Sequence, residues 1–368
     1  MKILFLSSSL APHFGGAAVS ESALSAELSK EHNVLVLSRQ DRLDKEFVER
    51  QGIKSTLPFK PISVLFAFLK PGHPLNREIR SSDVFHLNGH WFWENYFFAR
   101  LCYRYGVPYI LHPRGMLWVA YRRPYLKKLF NLILGNWIVS HASKVILLSE
   151  FERNHCEGYP VKEDNLTVVP NGIRSDEGGG DSLSTGSYFL YLGRIEPRKN
   201  LEFLIRVFSQ IYKKNSSVQL RLVGPVERNY DSLLKRLVSK YKLEEVIKIQ
   251  SAVYNQEKID LLRNASAVIY PAKGEPFGRT IFEAFAAGTL CLIPTNSGGV
   301  EYVEKFAPFV IYEEKSEDSL ATKMQEVLAL TYSERNQHIK NSQNWVSTHL
   351  DWTAITQKIV KIYHQILD

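Results

Sequence analysis

Short apolar runs alternate with amphipathic stretches along most of the chain. The first set is KILFLSS (2–8), VLVLS (34–38), VFHLN (84–88), PYILH (108–112), KVILLS (144–149) and LTVVPNG (166–172). Near-continuous apolar character marks strands covered on both faces, and the gaps between them leave room for helices. Between the first two runs, residues 17–29 carry Leu24 and Leu28 at helical spacing. This alternation predicts a parallel sheet with helices on both sides.

The pattern breaks at SDEGGGDSLSTG (175–186), a small, polar, glycine-rich stretch that reads as a linker. It restarts with YFLYLG (188–193), QLRLVG (219–224), KIQSA (248–252), AVIYPA (267–272) and TLCLIPT (289–295), which predict a second parallel sheet. Over 351–367, Trp352, Ile355, Ile359, Ile362 and Ile366 fall on one helical stripe. The expected organisation is α/β: one Rossmann-like domain over 1–176, a second over 187–348, and a helix at 349–368 that packs back towards the first. Two such domains on a short linker place a ligand in the cleft between them, beyond the carboxyl ends of the strands.

Composition narrows the class. A chain of 368 residues suits two domains of about 100–200 residues each. With 45% hydrophobic and 23% charged residues it is globular rather than disordered. Cys102, Cys156 and Cys291 lie far apart, which excludes a disulfide framework or a zinc knuckle and suits a reducing cytosol. The apolar run from Leu129 to Val139 is broken by Asn131, Gly135 and Asn136 and falls short of the ~20 residues that span a bilayer. The opening MKILFLSSSLAP reads as a buried strand rather than a signal peptide.

The net charge is +8, unevenly spread. Residues 51–130 hold 12 Lys and Arg against Glu78, Asp83 and Glu94, a balance of +9, so the rest of the chain sums to −1. Such a segment is either a solvated basic face or the footprint of an anionic partner: nucleic acid, acidic lipid or a phosphorylated acceptor. Trp91, Phe92, Trp93 and Tyr96 give it the aromatics of a base-stacking platform, but HWFWENYFF on a helix is read as core packing, and no nucleic-acid motif is present. Tyr121 to Phe130 interleaves Arg122, Arg123, Lys127 and Lys128 with aromatic and apolar residues. That mixture suits an anionic membrane surface or a phosphorylated soluble acceptor.

Three loops carry candidate chemistry. Glu275-Pro-Phe277-Gly278-Arg279-Thr280-Ile-Phe-Glu283 follows a strand and opens a helix. Its carboxylates suit a hydroxyl-rich ligand, and its helix start favours an anion. Thr280 to Glu283 also has the spacing of a capping box, in which Glu283 caps its own helix. Gly193-Arg194-Ile-Glu-Pro-Arg198-Lys199-Asn200 sets cations at a strand-to-helix turn, where they either neutralise a diphosphate or remain solvated. Pro12-His13-Phe14-Gly15-Gly16 allows close backbone approach after the first strand. It is not G-x-G-x-x-G, no acid ends the second strand, and the Walker pattern is absent, so neither dinucleotide nor P-loop chemistry is expected.

Taken in order, these motifs resemble the retaining glycosyltransferases of the E-x7-E type, family four, with the GT-B fold. The resemblance runs through Gly15-Gly16, Asp83-Val-Phe-His86, Val169-Pro-Asn-Gly-Ile173, Tyr191 to Asn200, Leu222-Val-Gly-Pro, Ala265 to Pro271, Glu275 to Glu283 and Ser297-Gly-Gly-Val-Glu301. It implies a hexosyltransferase-like, metal-independent enzyme without a cofactor, using a UDP- or GDP-sugar as substrate. Arg194 and Lys199 would hold the donor diphosphate, with Gly16 approaching it, and Glu283 would hold the ribose. Glu275 would bind the sugar hydroxyls, ringed by the amides of Phe277, Gly278, Arg279 and Thr280. The family usually presents a His after the strand that PYIL forms here. Here Arg114 stands at that position, His112 lies two residues earlier, and His86 and His90 flank the region. The implied setting is polysaccharide or lipopolysaccharide biosynthesis in the cytoplasm, peripheral to the membrane, with a lipid-linked glycan or capsule intermediate as acceptor. A nucleotide-sugar epimerase or a phosphorylase on the same fold is the alternative.

Overall fold

The computed structural model describes residues 1–11, 14–119, 123–174, 186, 188–227 and 229–368. It separates into two compact units, one made of Met1–Gly172 with Trp352–Asp368 and one of Ile173–Asp351. The expected linker lies outside the described residues except for Gly186.

The first unit holds β1 (Lys2–Ser7), β2 (Asn33–Arg39), β3 (Thr56–Phe59), β4 (Val84–Asn88), β5 (Tyr109–His112), β6 (Lys144–Leu147) and β7 (Leu166–Val168). They form one parallel sheet in the order β3-β2-β1-β4-β5-β6-β7. Ile3 pairs with Val34 on one side and Val84 on the other, so β1 is the strand where the order reverses. All but the edge strands are apolar throughout because both faces are covered. On one face lie Val64, Ala67, Ile79, Phe98, Leu101, Ile138 and Val139 from helices within residues 61–140. On the other, Leu24 and Leu28 of helix Gly16–Leu28 meet Ile355, Ile359, Ile362 and Tyr363 of helix Trp352–Leu367 over Ile3, Phe5, Val34 and Val36. Chain entry into this last helix is tight: a Cβ on Gly172 would lie 2.3 Å from the Trp352 ring.

The second unit holds β8 (Tyr188–Leu192), β9 (Leu220–Val223), β10 (Ile247–Gln250), β11 (Ala265–Ile269), β12 (Cys291–Pro294) and β13 (Ile311–Tyr312), again parallel, in the order β10-β9-β8-β11-β12-β13. Here the order reverses at β8, which pairs with β9 and β11.

Two strands escaped the apolar pattern. β3 is TLPF at a sheet edge, where Pro58, which has no N–H to give, is tolerated. β13 has two residues, also at an edge.

The last helix is therefore core to the first unit. Ile359→Ala should cost about 2–5 kcal/mol of stability, read by urea titration. A change below about 0.5 kcal/mol, the size typical of a surface substitution, would contradict this packing.

Candidate functional site

In the second unit the site follows from the strand reversal. Because β8 and β11 are neighbours, the loops at their carboxyl ends lie side by side. The first loop carries Arg194, Arg198 and Lys199; the second carries Glu275. Lys199 Nζ donates to Glu275 Oε2 at 2.7 Å and to the Tyr270 hydroxyl at 3.2 Å. Arg198 Nη2 donates to the same Glu275 oxygen at 3.2 Å. Burial alone raises the Glu275 pKa, but Lys199, then Arg198 and Arg194, outweigh it and hold the carboxyl down at about 2. The buried Lys199 is lowered by desolvation, a shift its pairing with Glu275 opposes.

Arg194 is placed differently. Its side chain is half exposed, and its Nη2 lies 3.2 Å from Glu196 Oε1. Glu196 is buried and its pKa is raised, by desolvation and by a side-chain hydrogen bond to Glu227, against the pull of Arg194 and Lys199. Close approach requires a glycine beside this loop: a Cβ on Gly224, at the end of β9, would lie 1.9 Å from the Gly193 carbonyl oxygen, and one on Gly193 would lie 3.0 Å from the Tyr191 hydroxyl. Two small residues let the strand ends converge beneath the loop.

The second loop is braced from behind. The Gly298 N–H donates to the Glu275 carbonyl at 2.8 Å. The Phe277 ring stacks on Phe282 at 4.5 Å and meets Tyr302 edge-on, so its side chain is buried in the core. Gly278, at φ 76°, is the N-cap of helix Arg279–Ala286. This overturns the capping-box reading. Thr280 lies inside the helix rather than at its cap, and the Glu283 side chain turns elsewhere. Glu283 Oε1 accepts from Arg279 Nε at 2.6 Å, and Oε2 lies 2.8 Å from Lys258 Nζ. Burial raises this carboxyl; Lys258 and Arg279 overcome it and hold the pKa at about 2.

In the first unit, Gly15 is the N-cap of helix Gly16–Leu28 at φ 88°, and no atom would meet a Cβ built on it within 4 Å. Pro12 and His13 lie outside the described residues. A buried polar cluster occupies the carboxyl ends of the strands. Arg114, at φ 51°, donates from Nε to Asn88 Oδ1 at 2.7 Å and from Nη1 to Asn171 Oδ1 at 2.6 Å, with Glu21 Oε1 3.7 Å away. Glu21 also accepts from Ser7 Oγ, Ser8 N and Ser8 Oγ at 2.7–2.9 Å. Tyr363, His86 and His112 form a chain, the Tyr363 hydroxyl at 2.7 Å from His86 Nδ1 and His86 Nε2 at 3.3 Å from His112 Nδ1. Burial, and next the charge on Arg114, push both histidines well below the usual range, so they are neutral. His112 Nε2 is buried with no hydrogen-bond partner among the described residues. His90 is separate: its Nε2 lies 3.0 Å from Asn131 Oδ1.

The structure thus unites Lys199 with Glu275, and Arg279 with Glu283, and sets Arg114 near His86 and His112. Sequence reasoning left Lys258, Tyr270, Glu21, Asn88 and Asn171 unassigned. Lys258 comes from another helix, Asn255–Arg263, and no local spacing marks it. Glu21 had one signal: an acid among small residues, VSESALS, on a helix expected to be buried.

Residues 14–177 match the family described as Glycosyltransferase Family 4, and residues 180–345 match Glycosyl transferases group 1. An uncharacterized glycosyltransferase of Methanocaldococcus jannaschii is 24% identical over 56% of this chain and 56% of that protein. The phosphatidylinositol N-acetylglucosaminyltransferase gpi3 subunit of Schizosaccharomyces pombe is 22% identical over 65% of this chain and 54% of that protein. The chain spans about half the length of these curated relatives. Among solved structures, Anabaena Alr3699/HepE superposes with a TM-score of 0.82 in its complex with UDP and 0.81 with UDP-glucose, at 19% and 20% identity, over 99% of this chain and 100% of that one.

The paired carboxylates set a pH window. Both have folded pKa values below the ordinary 4.5, so their contribution is complete above that value and is lost as pH falls towards about 2. Acid titration of the protein should show this decline, and Glu275→Gln should flatten it. Glu283→Gln at pH 7 should cost about 3 kcal/mol, because it leaves Arg279 and Lys258 without their shared anion. An unchanged melting temperature in that variant would contradict the pairing.

Proposed function

The chain belongs to the glycosyltransferases of group 1 and family 4, with their GT-B fold, and from that premise we propose that it moves a sugar from a nucleoside diphosphate donor to a hydroxyl acceptor with retention at the anomeric carbon. The observation that carries this reading is the buried Lys199–Glu275 pair, with Arg198 on the same carboxylate. It joins diphosphate-binding cations to a hydroxyl-binding anion at one strand reversal.

In this reading Lys199 and Arg194, with Arg198, face the diphosphate, whose charge grows as the glycosidic bond breaks. Fixed cations aimed at developing charge contribute several kcal/mol in a closed site, and they neutralise it without a metal ion. Glu275 orients the sugar hydroxyls, the amides from Phe277 to Thr280 surround them, and Glu283 holds the ribose. The acceptor oxygen bonds to the anomeric carbon on the face the diphosphate leaves, and its proton passes to a phosphate oxygen. In the first unit, the open N-cap at Gly15, followed by Gly16, suits an anion. Arg114 and His112 line the acceptor side, with Arg114 in the position the family usually gives to His.

A UDP-sugar is the favoured donor, supported by the UDP and UDP-glucose complexes of the Anabaena protein; a GDP-sugar is the other. The acceptor is a lipid-linked glycan, a lipopolysaccharide or a capsule intermediate at the cytoplasmic face of the membrane. The basic first unit supports this, as does the phosphatidylinositol-directed name of the fission-yeast relative.

Lys199→Ala and Glu275→Ala should each lower turnover about 100- to 1,000-fold, read as nucleotide release across a panel of UDP- and GDP-sugars with and without acceptor. Near-wild-type transfer by Glu275→Ala and by an Arg194/Lys199 double variant would remove the reading. Consumption of donor without acceptor, giving an isomerised sugar nucleotide, would select the epimerase alternative.

A further inference from the structure

Helix Pro124–Phe130 continues through a π-helical turn, Asn131–Gly135, into Asn136–Ser140. Its apolar stripe points the wrong way for a surface that meets only water. Tyr125, Leu126, Leu129, Leu132 and Ile133 recur at helical spacing and are 85, 59, 52, 77 and 61% exposed. A helix on a water-facing surface turns such a stripe inward. Here the inward side is fastened by polar contacts beside the Phe130 ring, which meets His90 and Trp91 edge-on. Asn131 Nδ2 donates to the Tyr159 hydroxyl at 2.8 Å, and its Oδ1 meets His90 Nε2 at 3.0 Å. A Cβ on Gly135 would lie 2.9 Å from His90 Nε2, so the helix sits close against its neighbour. Lys127 is also turned inward, donating to the Trp118 carbonyl at 2.8 Å and lying over the Trp91 ring. The rotation of the helix is therefore set by specific contacts, and the apolar residues are held outward.

The charge around this stripe is one-sided. From residue 95 to 149 there is no Asp or Glu, against eight Lys and Arg. Arg123 and Lys128 are exposed beside the stripe. Helix Pro61–Leu69 adds exposed Ile62, Phe66 and Leu69, flanked by exposed Lys60 and Lys70. No helix among the described residues is long and apolar enough to cross a membrane. A second copy of the chain on this face would set like charges against each other, whereas an anionic bilayer complements both the apolar stripe and the cations.

We propose that Pro124–Gly135 is an in-plane membrane anchor, seating Tyr125, Leu126, Leu129, Leu132 and Ile133 at the headgroup–acyl boundary of an anionic leaflet, with Arg123 and Lys128 among the phosphates. This deepens the acceptor half of the proposed function and rests on it, since a lipid-linked acceptor lies in that boundary.

The test is sedimentation with phosphatidylcholine vesicles, with and without phosphatidylglycerol. It uses wild type, the triple variant Leu129→Ser/Leu132→Ser/Ile133→Ser, and the double variant Arg123→Gln/Lys128→Gln. All five positions are exposed, and a circular dichroism melt checks that each variant is folded; Leu132→Glu alone replaces the triple variant if it is not. The expected result is that wild type partitions onto anionic vesicles and that the triple variant loses about tenfold or more. The double variant should lose the preference for phosphatidylglycerol and the sensitivity to salt. Absence of wild-type binding, equal partitioning of wild type and triple variant, or a soluble wild-type dimer that the triple variant dissolves would each overturn the anchor. UDP and GDP binding, measured in parallel without vesicles, should be equal in all variants. Absence of both UDP and GDP binding in wild type would sink the donor reading while leaving the vesicle result to stand by itself.

Discussion

The second unit is organised around the need to balance a buried lysine and a partly buried arginine with a carboxylate between them. Lys199 and Arg198 both point at Glu275 Oε2, and Glu196 lies 3.8 Å from Arg198. Removing one member of such a set costs far more than the set contributes to stability, because the remainder is left buried and unpaired. Its value is positional. The carboxylate holds two cations at fixed places before any third charge arrives, which is the preorganisation that makes electrostatic catalysis effective. Much of the local structure serves that placement: the converging glycines at the ends of β8 and β9, the Gly298 amide on the Glu275 carbonyl, and the Phe277 ring driven into the core.

The first unit applies the same topology to the opposite balance. Strand reversal at β1 brings Ser7 and Glu21 beside Asn88, and Arg114 reaches all of this from the end of β5. Its guanidinium is held chiefly by neutral amide oxygens, and Glu21 is drawn into hydrogen bonds with Ser7 and Ser8. Burial first, and the charge on Arg114 second, push His86 and His112 well below the usual imidazole range. Glu152 differs. Burial raises its carboxyl, two backbone amides and Arg114 pull it back, and it settles at about 7. Its Oε1 accepts from the Gly115 amide just beyond Arg114.

The strand cores were legible because parallel strands covered on both faces must be apolar along their length. That requirement marks β1, β2, β4 to β6, β8, β9, β11 and β12. It does not bind an edge strand: the edge strands β7 and β10 still show in the pattern, whereas β3, with its proline, and the two-residue β13 do not. Lys199 and Glu275 stood out because each sits at a strand-to-helix turn whose glycines and neighbouring charges make no sense as plain surface, and Glu283 because it lies in the helix that follows. What could not be read was partnership. Lys258 reaches Glu283 from another helix, and even the i,i+4 pairing of Arg279 with Glu283 competed with a local cap at Thr280. Asn88 and Asn171 are ordinary strand-end residues until the fold places Arg114 between them. Local pattern records what a residue must avoid, while pairing across the fold depends on which strand ends the topology makes adjacent.

The segment from Leu129 to Val139 shows the same limit from the other side. Its periodicity reports an apolar stripe but not the direction the stripe faces. Asn131, Gly135 and Asn136 interrupt it, and that interruption rules out a transmembrane span. In the structure Asn131 and Gly135 are the very residues that fasten the helix to the protein, through Tyr159, His90 and a close backbone approach. With Asn131 and Gly135 on the inner seam, Leu129, Leu132 and Ile133 are left outside, while Ile138 and Val139 beyond them turn into the core. A sequence that fails as a span on account of its polar breaks therefore gains, through those same breaks, the geometry of a helix that lies along a surface.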